Sequence, residues 1–469
     1  MHVAIIGNGI SGVTAAREIR KRDPDVRITI ISNESVHHWS RPALMYIYMG
    51  HMRYEDTLPY EAEFWPKNRI DLHFGTVSSL DTTNRLLEFT DGEKMPFNKL
   101  IIATGSSPNR FGWPGQHLNR VGGMYSLSDL RRLEDWTPQI NTAVIVGGGL
   151  IGVELAEMLH ARGKQVIFLV REDRYWSGVL PSEESKLIEK VIQQSGIDLR
   201  LGTELKEIIS DDLGNASAIV TSSGEHIACE YVGLTAGVHP NIGPLKDSDL
   251  RTRRGVCVDE YQRTNIEGIY AVGDCAEIIS DDSDRGTIQA VWYTGRFQAE
   301  IAAANICREL STNAGNTSSS ANTMDKYEPG IWFNSAKFID LEYQVYGNVP
   351  SERASAEAAE QGLSSVYWQD MRSDRAVRLV YQNNKDVVPL SSQPDSKSSD
   401  VFVGLNCLGI RYRHRLLEQW ILEKRSMSWV VKHLKEACFD PEFFPQFDMD
   451  IAAKYNVSDQ NHSISDTTR

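Results

Sequence analysis

Two glycine-rich loops of one design constrain this chain more than any other feature of its 469 residues. The first, Gly7-Asn8-Gly9-Ile10-Ser11-Gly12, follows the apolar run Val3-Ala4-Ile5-Ile6. A helical stretch from Val13 to Arg22 comes next, then a second apolar run, Arg27-Ile28-Thr29-Ile30-Ile31. The second loop, Gly147-Gly148-Gly149-Leu150-Ile151-Gly152, follows Ala143-Val144-Ile145-Val146 and leads through a helix to about Arg162 into a strand from Gln165 to Val170. One GxGxxG says little. Two, each between a strand and a helix and each followed by another strand, predict two βαβ nucleotide-binding units. The glycines have separate jobs: the first allows the tight turn, the second lets backbone approach a pyrophosphate, and the third lets the helix pack on the strand. The helix N-terminus then offers unpaired N–H groups and a partial positive charge to phosphate.

Composition narrows the class further. Lys plus Arg (49) against Asp plus Glu (63) gives a formal charge of -14, which repels nucleic acid and anionic lipid at long range. No run of about 18 apolar residues occurs, so no membrane-spanning helix is expected. The chain opens directly into the strand His2–Ile6, which leaves no room for a signal segment. Cysteines stand at 229, 257, 275, 307, 407 and 438, with no CxxC pair, so neither a disulfide scaffold nor an iron–sulfur site is expected. These features predict a soluble, cytoplasmic chain of several domains.

Each glycine unit is closed by a similar strand and turn. Lys99-Leu100-Ile101-Ile102-Ala103-Thr104-Gly105 leads to Ser107-Pro108-Asn109, and Tyr231-Val232-Gly233-Leu234-Thr235-Ala236-Gly237 leads to His239-Pro240-Asn241. A further strand ends in Gly273-Asp274-Cys275, and a helix follows over about Thr287 to Leu310. Ser311 to Asp325 and Asn383 to Asp400 read as polar loops. Gly330 to Val349 reads as a strand pair, Ser364 to Tyr381 has strand-like composition, and Ile410 to Ala437 reads as a cationic helical region. The expected fold is α/β, with two Rossmann-like dinucleotide-binding domains and a C-terminal mixed α/β domain. The boundaries predicted are 1–112 with 248–326 for the first, 113–247 for the second, 327–455 for the third, and a disordered tail at 456–469.

With these motifs assembled, the chain resembles the two-dinucleotide flavoproteins of the pyridine nucleotide–disulfide oxidoreductase fold. Within them it resembles the branch of ferredoxin and rubredoxin reductases, apoptosis-inducing factor, and the flavin part of the nitrite reductase large subunit. The resemblance covers about residues 1–350. It implies FAD on the first loop (Gly7, Gly9, Ser11, Gly12), with Glu34 on the adenosine ribose and Arg41-Pro42 along the flavin. It implies Thr104-Gly105 at the closing turn and Asp274, after Gly273, accepting from a ribityl hydroxyl. It implies NAD(P)H on Gly147, Gly149, Ile151 and Gly152, with Glu154 near the nicotinamide carboxamide and Gly237 in the second closing turn. Trp332-Phe333-Asn334-Ser335 resembles the start of the family's interface domain.

Three departures concern what accepts the electrons. Ala43-Leu44-Met45-Tyr46 replaces the branch's serine and lysine beside the flavin, so the lysine that would pair with Glu154 is missing. Asn334 stands where the branch has a tryptophan near the flavin. The stretch Trp39–Met52 contains no cysteine, which removes the thiol relay of the disulfide reductases. Cys275 and the other cysteines read as small buried hydrophobes. His37-His38 reads as a polar loop rather than a metal site, because no further ligands stand at metal spacing. Trp39, Tyr46 and Tyr48 fit either a flavin cavity or core packing.

The expected activity is hydride transfer from NAD(P)H to FAD, then electron transfer without a disulfide to a small carrier protein or partner subunit. The resemblance names no catalytic acid or base. Alternatives are a quinone or small-molecule reductase, or a nucleotide-sensing flavoprotein with little turnover; a homodimer is compatible with each. Val170 stands where an NAD-specific acid would, and Arg171 with Arg174 leans the donor toward NADPH, although Glu172 opposes a phosphate. Between Leu408 and Glu436 seven Lys/Arg (Arg411, Arg413, Arg415, Lys424, Arg425, Lys432, Lys435) face three Glu, a candidate surface for an acidic carrier.

Overall fold

The apolar runs around the first glycine loop become the middle of a parallel sheet. A computed structural model describes residues 1–279, 285–313, 324–383, 400–439 and 447–465. The strands of this sheet lie in the order Ile269–Ala271, Lys99–Ile102, His2–Ile6, Arg27–Ser32, Ile70–Phe74. Val3 stands opposite Ile28 on one side and Lys99 on the other. A central parallel strand is covered on both faces, which explains its continuous apolar sequence. Helices Ile10–Arg22 and Trp292–Asn313 cover one face, packing Val13, Ala16, Ile19, Ala299, Ala303 and Ile306 on the strands. The other face is covered by residues of the antiparallel meander 77–96, including Leu80, Leu87 and Phe89.

The second loop repeats the plan. Its strands lie in the order Asp198–Arg200, Gln165–Leu169, Thr142–Val146, Tyr231–Leu234, Val121–Gly122. The C-terminal sheet is antiparallel, in the order Phe333–Phe338, Leu341–Gly347, Asp400–Leu408, Ala376–Asn383, Leu363–Gln369. Residues of the helices His414–Leu422 and Met427–His433 complete its core, with Leu417, Trp420, Val430 and Val431 buried against Leu379, Phe402 and Leu405.

The chain divides into two compact units, 1–111 with 122–138 and 236–329, and 112–121 with 139–235 and 330–469. Residues 122–138 and 236–247, expected in the second nucleotide domain, therefore lie in the unit of the first. The C-terminal domain shares a unit with the second nucleotide domain, and charged side chains join them. Arg378 on the antiparallel sheet reaches helix Ser182–Gln194, bonding Glu184 at 2.7 and 3.0 Å and Glu183 at 2.7 Å. Glu184 and Arg378 are both buried. Removing one member of such a pair strands the other charge, at about 3–5 kcal/mol. Lys337–Glu157 and Lys190–Asp374, both nearer the surface, add two more links.

Several boundaries differ from expectation. The helix expected from Thr287 starts at Trp292, because Thr287 bridges to Ile278. It continues to Asn313, so the start of the expected polar loop is helical, and 314–323 lie outside the described residues. Most of the second expected loop, 384–399, also lies outside them. Strand Asp400–Leu408 was not expected: its first residue fell in the expected loop and the rest was assigned no element. Gly404 weakens its pattern, yet a Cβ there would lie 2.3 Å from the Asn348 carbonyl oxygen, so glycine is what the close backbone approach requires. Helix Asp448–Ser465 occupies much of the expected tail, with Ile451 and Tyr455 buried, and 466–469 lie outside the described residues. Among the described residues no helix is long and apolar enough to cross a membrane.

Candidate functional site

The first glycine loop is built so that only glycine fits at its ends. Gly7 has φ +114, and a Cβ on it would lie 2.1 Å from the Ala103 carbonyl oxygen. A Cβ on Gly12 would lie 1.9 Å from the Gly7 carbonyl oxygen. Gly9 is the opposite case, since a Cβ there meets nothing within 4 Å. The loop is thus tight on its protein side and open over its middle residue. Helix Ile10–Arg22 starts directly after Gly9 with no side-chain cap, which leaves its first N–H groups for a ligand. Ser11 is buried with its hydroxyl against Gly273 and Gly295, where a Cβ on either glycine would come within 2.5 Å. An open loop with spare donors fits the pyrophosphate of a dinucleotide.

Around this cradle the unit gathers two acidic side chains, Glu34 and Asp274, and one basic one, Arg41, beyond the strand ends. Glu34 accepts from Arg41 Nη1 at 3.2 Å and from the Leu127 backbone N–H at 3.0 Å, and Arg41 Nη2 takes its second oxygen. Three of about four lone-pair sites are used, leaving capacity for a ribose hydroxyl. Arg41 also bonds the Tyr125 carbonyl and lies 5.0 Å from the ring centres of both Trp39 and Tyr125. Tyr125, which sequence reasoning missed for want of any motif, further accepts from the Ser106 N–H at 3.3 Å. Asp274 accepts from Ser106 Oγ at 3.0 Å. Burial raises its carboxyl above the usual range, with Ser106 and Arg41 opposing. Thr104 Oγ1 donates to the Asn241 carbonyl at 2.6 Å, and Gly105 has φ +68. Gly237, at φ +84, accepts from the Asn109 N–H at 3.0 Å and so belongs to this unit rather than to the second nucleotide domain.

His38 lies in the loop after strand Arg27–Ser32 but is turned inward. It is buried, with Nδ1 2.8 Å from the Asn8 carbonyl of the glycine loop, and burial lowers its pKa. Tyr48 belongs to the core, its hydroxyl 2.6 Å from Thr137 Oγ1. Trp39 is buried beneath Arg41.

The second loop has the same construction. Gly147 has φ +120, and a Cβ on Gly152 would lie 2.1 Å from the Gly147 carbonyl oxygen, while Gly149 again has nothing within 4 Å. Helix Leu150–Ala161, which carries Ile151, starts without a side-chain cap. Thr235 Oγ1 donates toward the Val146 and Gly147 carbonyls at 3.0 and 3.2 Å, fastening the loop to the strand beside it. Glu154, one turn into the helix, has its carboxyl pushed up to about 7 by burial, with the Glu157 charge adding to it. At the end of the next strand Val170 is buried, and Arg171 is 70% exposed with Glu172 at 3.1 Å. Arg174 pairs with Glu189 at 3.2 Å.

All six cysteines are unpaired and buried. Among the described residues no group of three or more His, Cys, Asp or Glu could hold a metal ion.

The profile of the pyridine nucleotide-disulphide oxidoreductase family matches residues 1–299. The ferredoxin reductase component of chlorobenzene dioxygenase from Cupriavidus sp. (strain PS12) is 31% identical over 305 residues, 65% of this chain and 74% of that protein. A rubredoxin-NAD(+) reductase of Pseudomonas putida is 29% identical over 311 residues, 66% of this chain and 80% of that protein. Among solved structures, an engineered water-forming NADPH oxidase superposes with TM-score 0.77 at 17% identity, covering 99% of this chain and all of that one.

Proposed function

We infer the function from one premise: the chain belongs to the pyridine nucleotide-disulphide oxidoreductase family, and it is an FAD-dependent oxidoreductase with NAD(P)H as its electron donor. Its relatives are reductases of ferredoxin and rubredoxin, and the reading is that this chain likewise hands electrons to a small carrier protein. The observation that carries the assignment of sites is the duplicated glycine cradle, closed on the protein side and open over Gly9 and Gly149.

In this reading Gly7, Gly9, Ser11 and Gly12 hold the FAD pyrophosphate, and Glu34, kept in place by Arg41, takes the adenosine ribose. Asp274 accepts from the ribityl chain, with Thr104-Gly105 and Arg41-Pro42 shaping the flavin side. Gly147, Gly149, Ile151 and Gly152 hold the nicotinamide nucleotide, and Glu154 orients its carboxamide. FAD supplies the hydride chemistry, and the protein's part is binding and orientation. The donor preference is for NADPH. Val170 removes the carboxylate that would accept the ribose 2′-hydroxyl, and Arg171 offers a guanidinium to a 2′-phosphate. Buried, unpaired thiols suit a reducing compartment and support a cytoplasmic setting.

The test is anaerobic reduction of the purified flavoprotein by limiting NADH or NADPH, followed by mixing with ferredoxins, rubredoxins, quinones and dioxygen. Faster reduction by NADPH and rapid reoxidation by an iron–sulfur carrier are expected. A colourless protein that cannot be reconstituted with FAD overturns the reading, and equal reduction by both nucleotides removes the NADPH preference.

A further inference from the structure

The strand after the second glycine loop ends against a residue from a different domain. Arg353 stands on the short turn Glu352–Ala354 of the C-terminal domain, and its guanidinium lies 3.5 Å from the carboxylate of Glu172. That carboxylate also takes Arg171 at 3.1 Å. The turn is anchored by backbone, since the Glu352 N–H donates to the Leu180 carbonyl at 2.9 Å. The glycine loop is adjacent, because a Cβ on Gly148 would lie 2.8 Å from Val170 Cγ1. Two guanidiniums from separate domains thus converge at the place where a Rossmann unit tells a ribose 2′-hydroxyl from a 2′-phosphate. Both heads face water, with Arg171 70% and Arg353 59% exposed, whereas Glu172 between them is 26% exposed.

We propose that Arg353 is a second guanidinium for the 2′-phosphate of NADPH, acting with Arg171 across the Glu172 carboxylate. The proposal rests on the NADPH reading above and adds to it a residue that the βαβ sequence pattern does not contain. A 2′-phosphate offers three strong acceptor oxygens and nearly two charges, more than one planar fork satisfies. Arg174 is turned to a different carboxylate, Glu189, which also accepts from the Tyr175 N–H at 2.8 Å, whereas Arg171 and Arg353 share Glu172. Glu172 keeps both free-ended side chains ordered before the nucleotide arrives, so less side-chain entropy is lost on binding. Its carboxyl sits below the usual range, opposed by its burial and favoured by Arg171 first and then Arg353.

The experiment is titration calorimetry of the FAD-loaded protein with adenosine 2′,5′-bisphosphate and with 5′-AMP, on wild type, Arg171→Ala, Arg353→Ala and Arg353→Lys. Wild type should bind the bisphosphate at least about tenfold tighter than AMP, the size of one charge-assisted hydrogen bond. Arg353→Ala should lose about tenfold for the bisphosphate and nothing for AMP, with Arg353→Lys in between. If wild type shows no preference for the bisphosphate, the NADPH reading fails and takes this proposal with it. If wild type shows the preference and Arg353→Ala keeps it, or weakens both ligands alike, the role of Arg353 is overturned while the NADPH reading stands on Arg171.

Discussion

The two glycine loops are near copies in backbone and opposites two residues past the next strand. Gly7 and Gly147 have φ of +114 and +120, and both final glycines lie where a Cβ would strike the first glycine's carbonyl. Beyond the strands they part. Glu34 is enclosed, with Arg41 and the Leu127 N–H on it, whereas buried Val170 is followed by Arg171 pointing into water. The copied part is what any dinucleotide needs, because every one has a pyrophosphate. In the proposed reading the divergent part is where the nucleotide is chosen: an enclosed carboxylate suits a resident cofactor, while solvent-facing arginines suit one that comes and goes.

The harshest way to break the comparison is to fill each cradle in turn. A methyl on Gly12 cannot be placed without moving the Gly7 carbonyl, and the same holds for Gly152 and Gly147. Gly12→Ala should yield protein that has lost most of its flavin absorbance. Gly152→Ala should stay yellow and lose reduction by NADPH at least about a hundredfold, since a misplaced nucleotide loses its orientation. If both variants lose FAD alike, the two loops do not serve separate nucleotides.

The loops were readable because their constraint is local: φ and Cβ room depend on a few neighbouring residues, so the pattern survives in the sequence. The strands His2–Ile6 and Gln165–Leu169 were readable for a similar reason, as parallel strands covered on both faces become apolar runs. What distance in the chain hides was not readable. Tyr125 meets Arg41 across 84 positions, and Arg353 meets Glu172 from another domain. Strand Asp400–Leu408 was missed because Gly404 answers to a neighbouring backbone rather than to strand propensity. At 122–138 chain order and spatial unit differ, because that segment packs in the unit of the first glycine loop.

A gentler test uses pH. Glu154 titrates near 7 where an exposed carboxyl would sit at 4.5. The folded protein therefore holds the extra proton between those values, and stability falls as pH rises through that window, then levels above about 7. Orienting a carboxamide N–H₂ needs the ionised form. From pH 6 to 8 the ionised share rises from about one tenth to about nine tenths, so NADP⁺ affinity should rise by up to about tenfold. Glu154→Gln should flatten both the binding and the stability profiles over that range. FAD retention should not follow either, and a parallel loss of FAD between pH 8 and 6 contradicts the division of labour.

A further contrast lies in what each unit carries besides its loop. The second carries the C-terminal domain with its cationic helices, of which Arg411 is bound by Glu342 and Arg425 by Glu423. Arg413 and Arg415 remain exposed, so they are a better test of carrier docking than the full set of seven. Turnover with an acidic carrier should fall several-fold as salt shortens the Debye length from about 10 Å at 0.1 M to about 3 Å at 1 M. An Arg413/Arg415→Ala double variant should fall about threefold at low salt and show a shallower salt slope. Reduction of a neutral quinone should change with neither, and equal losses with both acceptors would place the effect elsewhere than docking.

The smallest expected effect is none, and it bears on both units equally. Each holds three cysteines: 257, 275 and 307 in the first, 229, 407 and 438 in the second. All are buried, and burial pushes the thiols up, Cys229 to about 12 and Cys307 to about 11. Cys275, nearest in sequence to Asp274, points its sulfur at the Val272 and Ile102 carbonyls, 3.3 and 3.5 Å away. A relay cysteine must be a thiolate that reaches its partner, and these are neither ionised nor accessible at neutral pH. Treatment of the native protein with iodoacetamide should therefore leave both flavin reduction and carrier reduction at the untreated rate, with no mass added until denaturant is present. Loss of carrier reduction with flavin reduction intact, together with one alkylated cysteine in the mass spectrum, would put a thiol between the flavin and the carrier and contradict direct transfer.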